Sequence, residues 1–176
     1  RKIVYRIVAE PSVAFLMLKK GELDFMSVRP IQWVRQTGSG KFLRSFNKFQ
    51  YFTPNYSYIA LNSRRPVFSD ARLLRAMSRL FNLEAILEKL LFGLGKRVNG
   101  TFYFYSKYYN SDISPIEYDP AGAMALLKQA GWADTDGDGF LDRNGRKFSF
   151  TFTISSGSKF AERLGTIMKE DFRKAG

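Results

Sequence analysis

The sequence predicts an α/β domain, and three stretches carry that prediction. Phe148, Phe150, Phe152 and Ile154 alternate with Ser149, Thr151 and Thr153, the period of a strand with one buried face. Residues 58–95 read as a short apolar strand, a turn and two linked helices. Residues 119–131 carry a complete helix signature, with Asp119 as N-cap, Pro120 at the first helical position and Gly131 as the stop. By themselves these stretches give one half of an α/β core and no reactive group.

Taken in order, residues 2–9 alternate Ile3, Tyr5 and Ile7 with Lys2, Val4, Arg6 and Val8, a strand pattern. Pro11 opens a short helix with Val13, Leu16 and Met17 on its apolar side, closed by Gly21. Residues 23–26 read as a second strand. Pro30 opens a helix carrying Ile31, Trp33 and Val34, which Gly38-Ser39-Gly40 ends. Phe42, Leu43, Phe46 and Phe49 then suggest a segment containing a strand. Residues 51–62 form the central strand region, led in by Pro54 and ended by Asn62.

Ser69 is placed to cap the next helix, with Asp70 in its first turn. The apolar stripe of that helix is either Ala71, Leu74, Met77 and Leu80, or Leu73, Ala76 and Leu80. Asn82 caps a following helix with Ile86, Leu87, Leu90 and Leu91, and Gly93 and Gly95 are stops. Residues 99–120 form a loop dense in Phe and Tyr, which either stacks on a ligand or pins itself down with its own rings. The helix after Asp119 buries Ala123, Leu126, Leu127 and Ala130. Ser158 caps a last helix with Phe160, Leu164, Ile167, Met168 and Phe172 inward, running to Lys174-Ala175-Gly176.

Composition narrows the chemistry. At 176 residues the chain suits one domain or one lobe of something larger. Its apolar runs fall far short of the roughly 20 residues of a membrane helix. Arg1-Lys2 leads straight into the first alternating pattern rather than into a signal peptide, which says little about location, since a mature or excised exported domain would look the same. There is no Cys and no His. Disulfides, thiolate metal sites, a Cys nucleophile and Ser-His-Asp catalysis are thereby excluded from this chain. The net charge of +12 admits a stand-alone basic domain binding nucleic acid or an anionic membrane surface. The basic residues are scattered, however, with no run longer than two, which favours a solvated basic surface.

Asp134-Thr135-Asp136-Gly137-Asp138-Gly139-Phe140-Leu141-Asp142 places Asp at positions 1, 3, 5 and 9 of a calcium-loop pattern, with Gly at position 6. Position 12 is Gly145 rather than Glu, and a strand pattern follows instead of a helix. Asp134, Asp136, Asp138 and Asp142 are therefore either calcium ligands or members of an Asp/Gly-rich turn. Glu22 and Asp24, and Glu84 and Glu88, read as surface charges rather than a catalytic pair. Gly38-Ser39-Gly40-Lys41 lacks the rest of a phosphate-binding loop. No catalytic residue and no cofactor are expected, and no metal ligand is assigned beyond the open calcium-loop alternative.

The ordered motifs carry a resemblance. Gly21-Glu22-Leu23-Asp24-Phe25, Tyr58-Ile59-Ala60-Leu61-Asn62, Pro66-Val67-Phe68-Ser69-Asp70-Ala71-Arg72, Asn82-Leu83-Glu84-Ala85-Ile86 and Ala125-Leu126-Leu127-Lys128-Gln129-Ala130-Gly131-Trp132 occur in sequence order. With Tyr118-Asp119-Pro120, the Asp134–Asp142 turn and the ending Lys174-Ala175-Gly176, this set resembles the bacterial extracellular solute-binding proteins of the oligopeptide/dipeptide type, family 5.

The resemblance implies a periplasmic-binding-protein-like lobe, with a mixed β-sheet flanked by helices. It implies that residues 1–176 form a single inserted middle lobe, with the other lobe absent. It further implies a binding protein, not an enzyme, that captures peptides or a similar small solute for the membrane subunits of an ABC importer. Nickel, haem and sugars are the other ligands of such proteins. Location would be periplasmic or extracellular and cell-envelope associated. Membrane contact would come only through the importer or a lipid anchor outside this chain, and no nucleic acid would be bound. Ser27, Val28 and Arg29 would border the cleft, and Asn55, Tyr56 and Tyr58 would lie near the ligand. The loop after Asn99-Gly100 is often proline-rich in relatives. Here it is Thr101-Phe102-Tyr103-Phe104-Tyr105.

Overall fold

Prolines and short polar side chains decide where the helices of this chain begin. The structure, a computed structural model, describes residues 2–176. They fall into two compact units, one up to Tyr51 and one from Phe52.

The first unit holds α1 (Pro11–Lys19), α2 (Pro30–Gln36) and α3 (Gly40–Ser45). Pro11 and Pro30 each occupy a first helical turn, where the missing N–H is no loss. Gly21 follows α1 at φ +77°, a conformation that suits glycine. Buried Gln32 donates from Nε2 to the Pro11 carbonyl at 3.3 Å, tying α2 to α1. Its Oε1 accepts from the Arg29 N–H at 3.0 Å. The core is Phe15, Leu18 and Phe42, backed by Leu23, Met26, Val28 and Phe46.

Two expectations change here. Val13 and Leu16 are exposed, and so is Val34. Phe15 and Leu18 share a face three residues apart, and that face, with the larger ring, is the one that meets Phe42. Residues 40–45 are helical rather than extended. Ser39, read as part of a stop, accepts from the Phe42 N–H at 3.2 Å and caps α3.

The second unit is organised by α4 (Ala71–Arg79) packed on α6 (Pro120–Gln129). Leu73, Ala76, Met77 and Leu80 meet Ala123, Leu127 and Ala130, with Phe68, Trp132, Leu141 and Ala175 closing the core. The second of the two expected stripes is thus the buried one, and Met77 joins it. α5 (Leu83–Leu91) packs on α7 (Lys159–Arg173). Ile86 and Met168 are their most buried side chains, and Phe160 stays exposed.

Asn82, Asp119 and Ser158 cap α5, α6 and α7 by accepting N–H bonds at 3.0, 2.8 and 3.2 Å. For α4 the cap is Asp70, not Ser69: Asp70 accepts from the Arg72 N–H at 2.9 Å. Ser69 instead donates to the Pro66 carbonyl, in the 3₁₀ turn Pro66–Phe68.

The expected mixed sheet is not seen among the described residues. They hold one two-stranded antiparallel ladder, β1 (Asp142–Arg143) and β2 (Arg146–Lys147). It closes through Asn144 and Gly145, at φ +54° and +70°, a two-residue hairpin turn. Residues 2–9, 23–26, 58–61 and 148–154 keep their strand-like sequence but have no ladder. Alternation can set which side of a segment is apolar, but N–H and C=O groups close only against a neighbouring strand. Ile3, Tyr5 and Ile7 are 81–97% exposed, so no neighbour covers them. Residues 148–150 do show the expected one-sided burial. Phe148 packs edge-on to Trp132 at 4.9 Å and Phe150 to Phe68 at 5.3 Å, while Ser149 is exposed.

Candidate functional site

The aromatic loop between α5 and α6 is anchored from three sides of the second unit. Tyr103 donates its hydroxyl proton to the Phe52 carbonyl at 2.9 Å. The Phe52 and Phe104 rings meet edge-on at 5.1 Å. Tyr109 accepts the Asn99 N–H at 3.2 Å, and Asn99 Nδ2 donates to the Ile113 carbonyl at 2.8 Å. Arg97 bridges the loop to α5, donating to Glu84 at 2.6 Å and to the Ile116 carbonyl. Burial pushes the Glu84 carboxyl up, but the Arg97 hydrogen bond, the backbone N–H and the Arg97 charge together hold it below its ordinary value. At the far end Arg79 binds Asp119 at 3.0 Å.

With its inner rings pinned, the loop shows the others to solvent. Phe102, Tyr105 and Tyr108 are 57%, 71% and 63% exposed. Lys96 Nζ lies 4.1 Å from the Phe104 ring centre, and Lys107 Nζ lies 5.1 Å from that of Tyr108. The reading of a loop pinned by its own rings is the one these contacts bear out. Tyr103, Phe104 and Tyr109 hold it in place, while the exposed rings pair within the loop, Phe102 with Tyr108 at 5.9 Å and Tyr105 with Phe104 at 4.4 Å. The Tyr103–Phe52 bond joins residues 51 apart, a pairing that no local spacing could reveal.

The expected ligand-facing residues fall in both units. Asn55, Tyr56 and Tyr58 follow directly on Phe52 and are exposed, and the Tyr56 and Tyr58 rings pair at 5.8 Å. They thus begin three residues after the point where the aromatic loop is anchored. Ser27 and Arg29 are exposed in the first unit. Val28 is half-buried against the Phe15, Leu18 and Phe42 cluster.

The Asp-rich loop is built as a turn. Asp134 accepts from the N–H groups of Gly137 and Gly139 at 2.8 and 3.0 Å, with both glycines at positive φ. Asp138 pairs with Lys147. Exposed carboxylate oxygens of Asp134, Asp136 and Asp138 lie within 4.8 Å of one another. Asp142 has a separate task. It is buried and accepts from the Thr135 N–H at 2.9 Å and the Thr135 hydroxyl at 2.8 Å.

These features can be set beside known proteins. The chain matches the family model of bacterial extracellular solute-binding proteins, family 5 Middle, over residues 1–176, and it belongs to that family. It is 28% identical over 181 residues to the oligopeptide-binding protein AppA of Bacillus subtilis (strain 168), covering 99% of this chain and 32% of that protein. It is 20% identical over 188 residues to the nickel-binding periplasmic protein of Escherichia coli (strain K12), covering all of this chain and 34% of that protein. The solved structure of Bacillus subtilis AppA in complex with a nonapeptide superposes with a TM-score of 0.78 at 28% identity, over 97% of this chain and 33% of that one. The chain thus spans about a third of the length of the curated relatives it matches. Its fold is that of part of a family 5 solute-binding protein. The names of these relatives are those of binding proteins, and they give the stand-alone basic-domain alternative no support.

Proposed function

We propose that residues 1–176 are one lobe of an exported solute-binding protein that captures peptides, or a similar small solute, for an ABC importer. The observation that carries this reading is the family match over the whole chain. The exposed rings of the aromatic loop, which is anchored at Phe52 three residues before Asn55, support it, because exposed ring faces near a polar backbone suit an extended peptide. Asn55, Tyr56 and Tyr58 on one unit, and Ser27, Val28 and Arg29 on the other, are the proposed ligand-facing residues. The role is binding and delivery, not catalysis. The working location is the periplasm or the outer face of the cell envelope, and the importer's membrane subunits are the partners.

In the whole protein, residues 2–9, 58–61 and 148–154 would supply strands to a mixed sheet, which would satisfy the backbone groups left open here. Closure of two lobes around the ligand would then select the bound state. Calorimetric titration of short peptides, nonapeptides included, tests this. The whole protein containing this chain is expected to bind with micromolar or tighter affinity, and the 176-residue chain alone at least about a hundredfold more weakly. Equal affinity for the two, or no peptide binding by the whole protein, would overturn the reading.

A further inference from the structure

The net charge of +12 is not spread evenly along the chain. Residues 25–69 contain seven Lys and Arg and no Asp or Glu. Residues 89–111 contain Lys89, Lys96, Arg97 and Lys107 and again no acid. These two acid-free stretches hold eleven cations, nearly the whole of the +12 excess. They are also the stretches that contain residues 27–29, residues 55–58 and the ring-bearing part of the aromatic loop, residues 102–109. Elsewhere acids and bases nearly balance. A basic surface kept only for solubility would have no reason to avoid acids in these stretches alone.

The structure shows what those cations do in the second unit. Arg97 is committed to Glu84 and the Ile116 carbonyl. Lys96 and Lys107 are exposed and pair with no carboxylate among the described residues. Each instead lies on the face of an aromatic ring, Lys96 on Phe104 and Lys107 on Tyr108. A ring face holds an ammonium in place without neutralising it. The loop beneath is fixed at Phe52, Asn99 and Arg97. Two positive charges are thus held on rings of the loop without an ion pair among the described residues, and the acids of the loop, Asp112, Glu117 and Asp119, all follow its ring-bearing part.

We propose that this ring-bearing part selects acidic peptides, its aromatic rings taking side chains and Lys96 and Lys107 taking carboxylates. This rests on the peptide reading above and names the class of peptide. A neutral peptide would use the rings alone, and a Lys- or Arg-rich peptide would be repelled.

The test is calorimetric titration of the whole protein with three nonapeptides of equal length, Asp/Glu-rich, neutral and Lys/Arg-rich. The acidic peptide is expected to bind about tenfold tighter than the neutral one at low salt, a preference that falls as salt is raised. In the Lys96→Gln, Lys107→Gln double variant, the ratio of acidic to neutral affinity is expected to move towards one. Neutral or basic peptides bound as tightly as the acidic one, or a preference unmoved by salt, would overturn the charge selection and leave peptide binding standing. Failure of all three peptides to bind would overturn both.

Discussion

Asp70 and Asp142 are both hydrogen-bonded carboxylates, yet their surroundings give them different consequences. Asp70 is held at about pKa 2, from an ordinary 3.8, by the side-chain hydrogen bond from Arg72, then by the Arg72 N–H, with the charges of Arg72 and Arg143 adding to it. A carboxyl with a lowered folded pKa adds stability above its unfolded value, and that stability is lost as pH falls through the folded value. The Asp70 contribution should therefore be complete above about pH 4 and fade towards pH 2. Urea midpoints of wild type and Asp70→Asn should converge across that window, and midpoints that keep a constant separation would refute the assignment. Asp142 is buried and serves Thr135 through both its N–H and its hydroxyl. Asp142→Ala leaves those donors without partners and should cost about 1–3 kcal/mol in chemical unfolding.

At the scale of elements, the first turn of α6 gathers cap, ion pair and close packing at one point. Asp119 caps Gly122 and also binds Arg79. A Cβ at Gly122 would stand 2.0 Å from the Asp119 carboxylate and 2.4 Å from the Arg79 guanidinium. Gly→Ala inside a helix normally stabilises by about 1 kcal/mol. Here the gain should reverse, because Asp119 must leave its cap, which is itself worth about 1 kcal/mol. Thermal unfolding of Gly122→Ala should show a lower midpoint than wild type.

The caps at Asn82, Asp119 and Ser158 were legible because each depends on a few neighbouring residues. So was the buried stripe of α6, which follows from spacing. The choice between the two stripes of α4 was not legible, since it is settled by Ala123 and Leu127 on a helix some fifty residues away. The strand-like segments mark the limit of local reading. Their alternation is plain, but pairing needs a partner that alternation does not supply. The Tyr103 anchor on Phe52 belongs to the same class, visible only once the chain is folded.

At the scale of the molecule, family membership and the exposed rings of the aromatic loop support the proposed binding role. The lack of Cys and His, a gap for an enzyme, is of no consequence to the proposed role, peptide recognition by backbone hydrogen bonds, rings and charge. The two acid-free stretches give the large net charge a location and a proposed use. The central claim is that the surface beginning at Asn55 meets the ligand. It is tested most directly by the peptide affinity of the whole protein, wild type against a Tyr56→Ala, Tyr58→Ala double variant. Both rings are exposed, so the variant should melt at the wild-type temperature. The affinity is expected to fall at least about tenfold, as loss of two stacking rings requires. Wild-type affinity in that variant would contradict the claim.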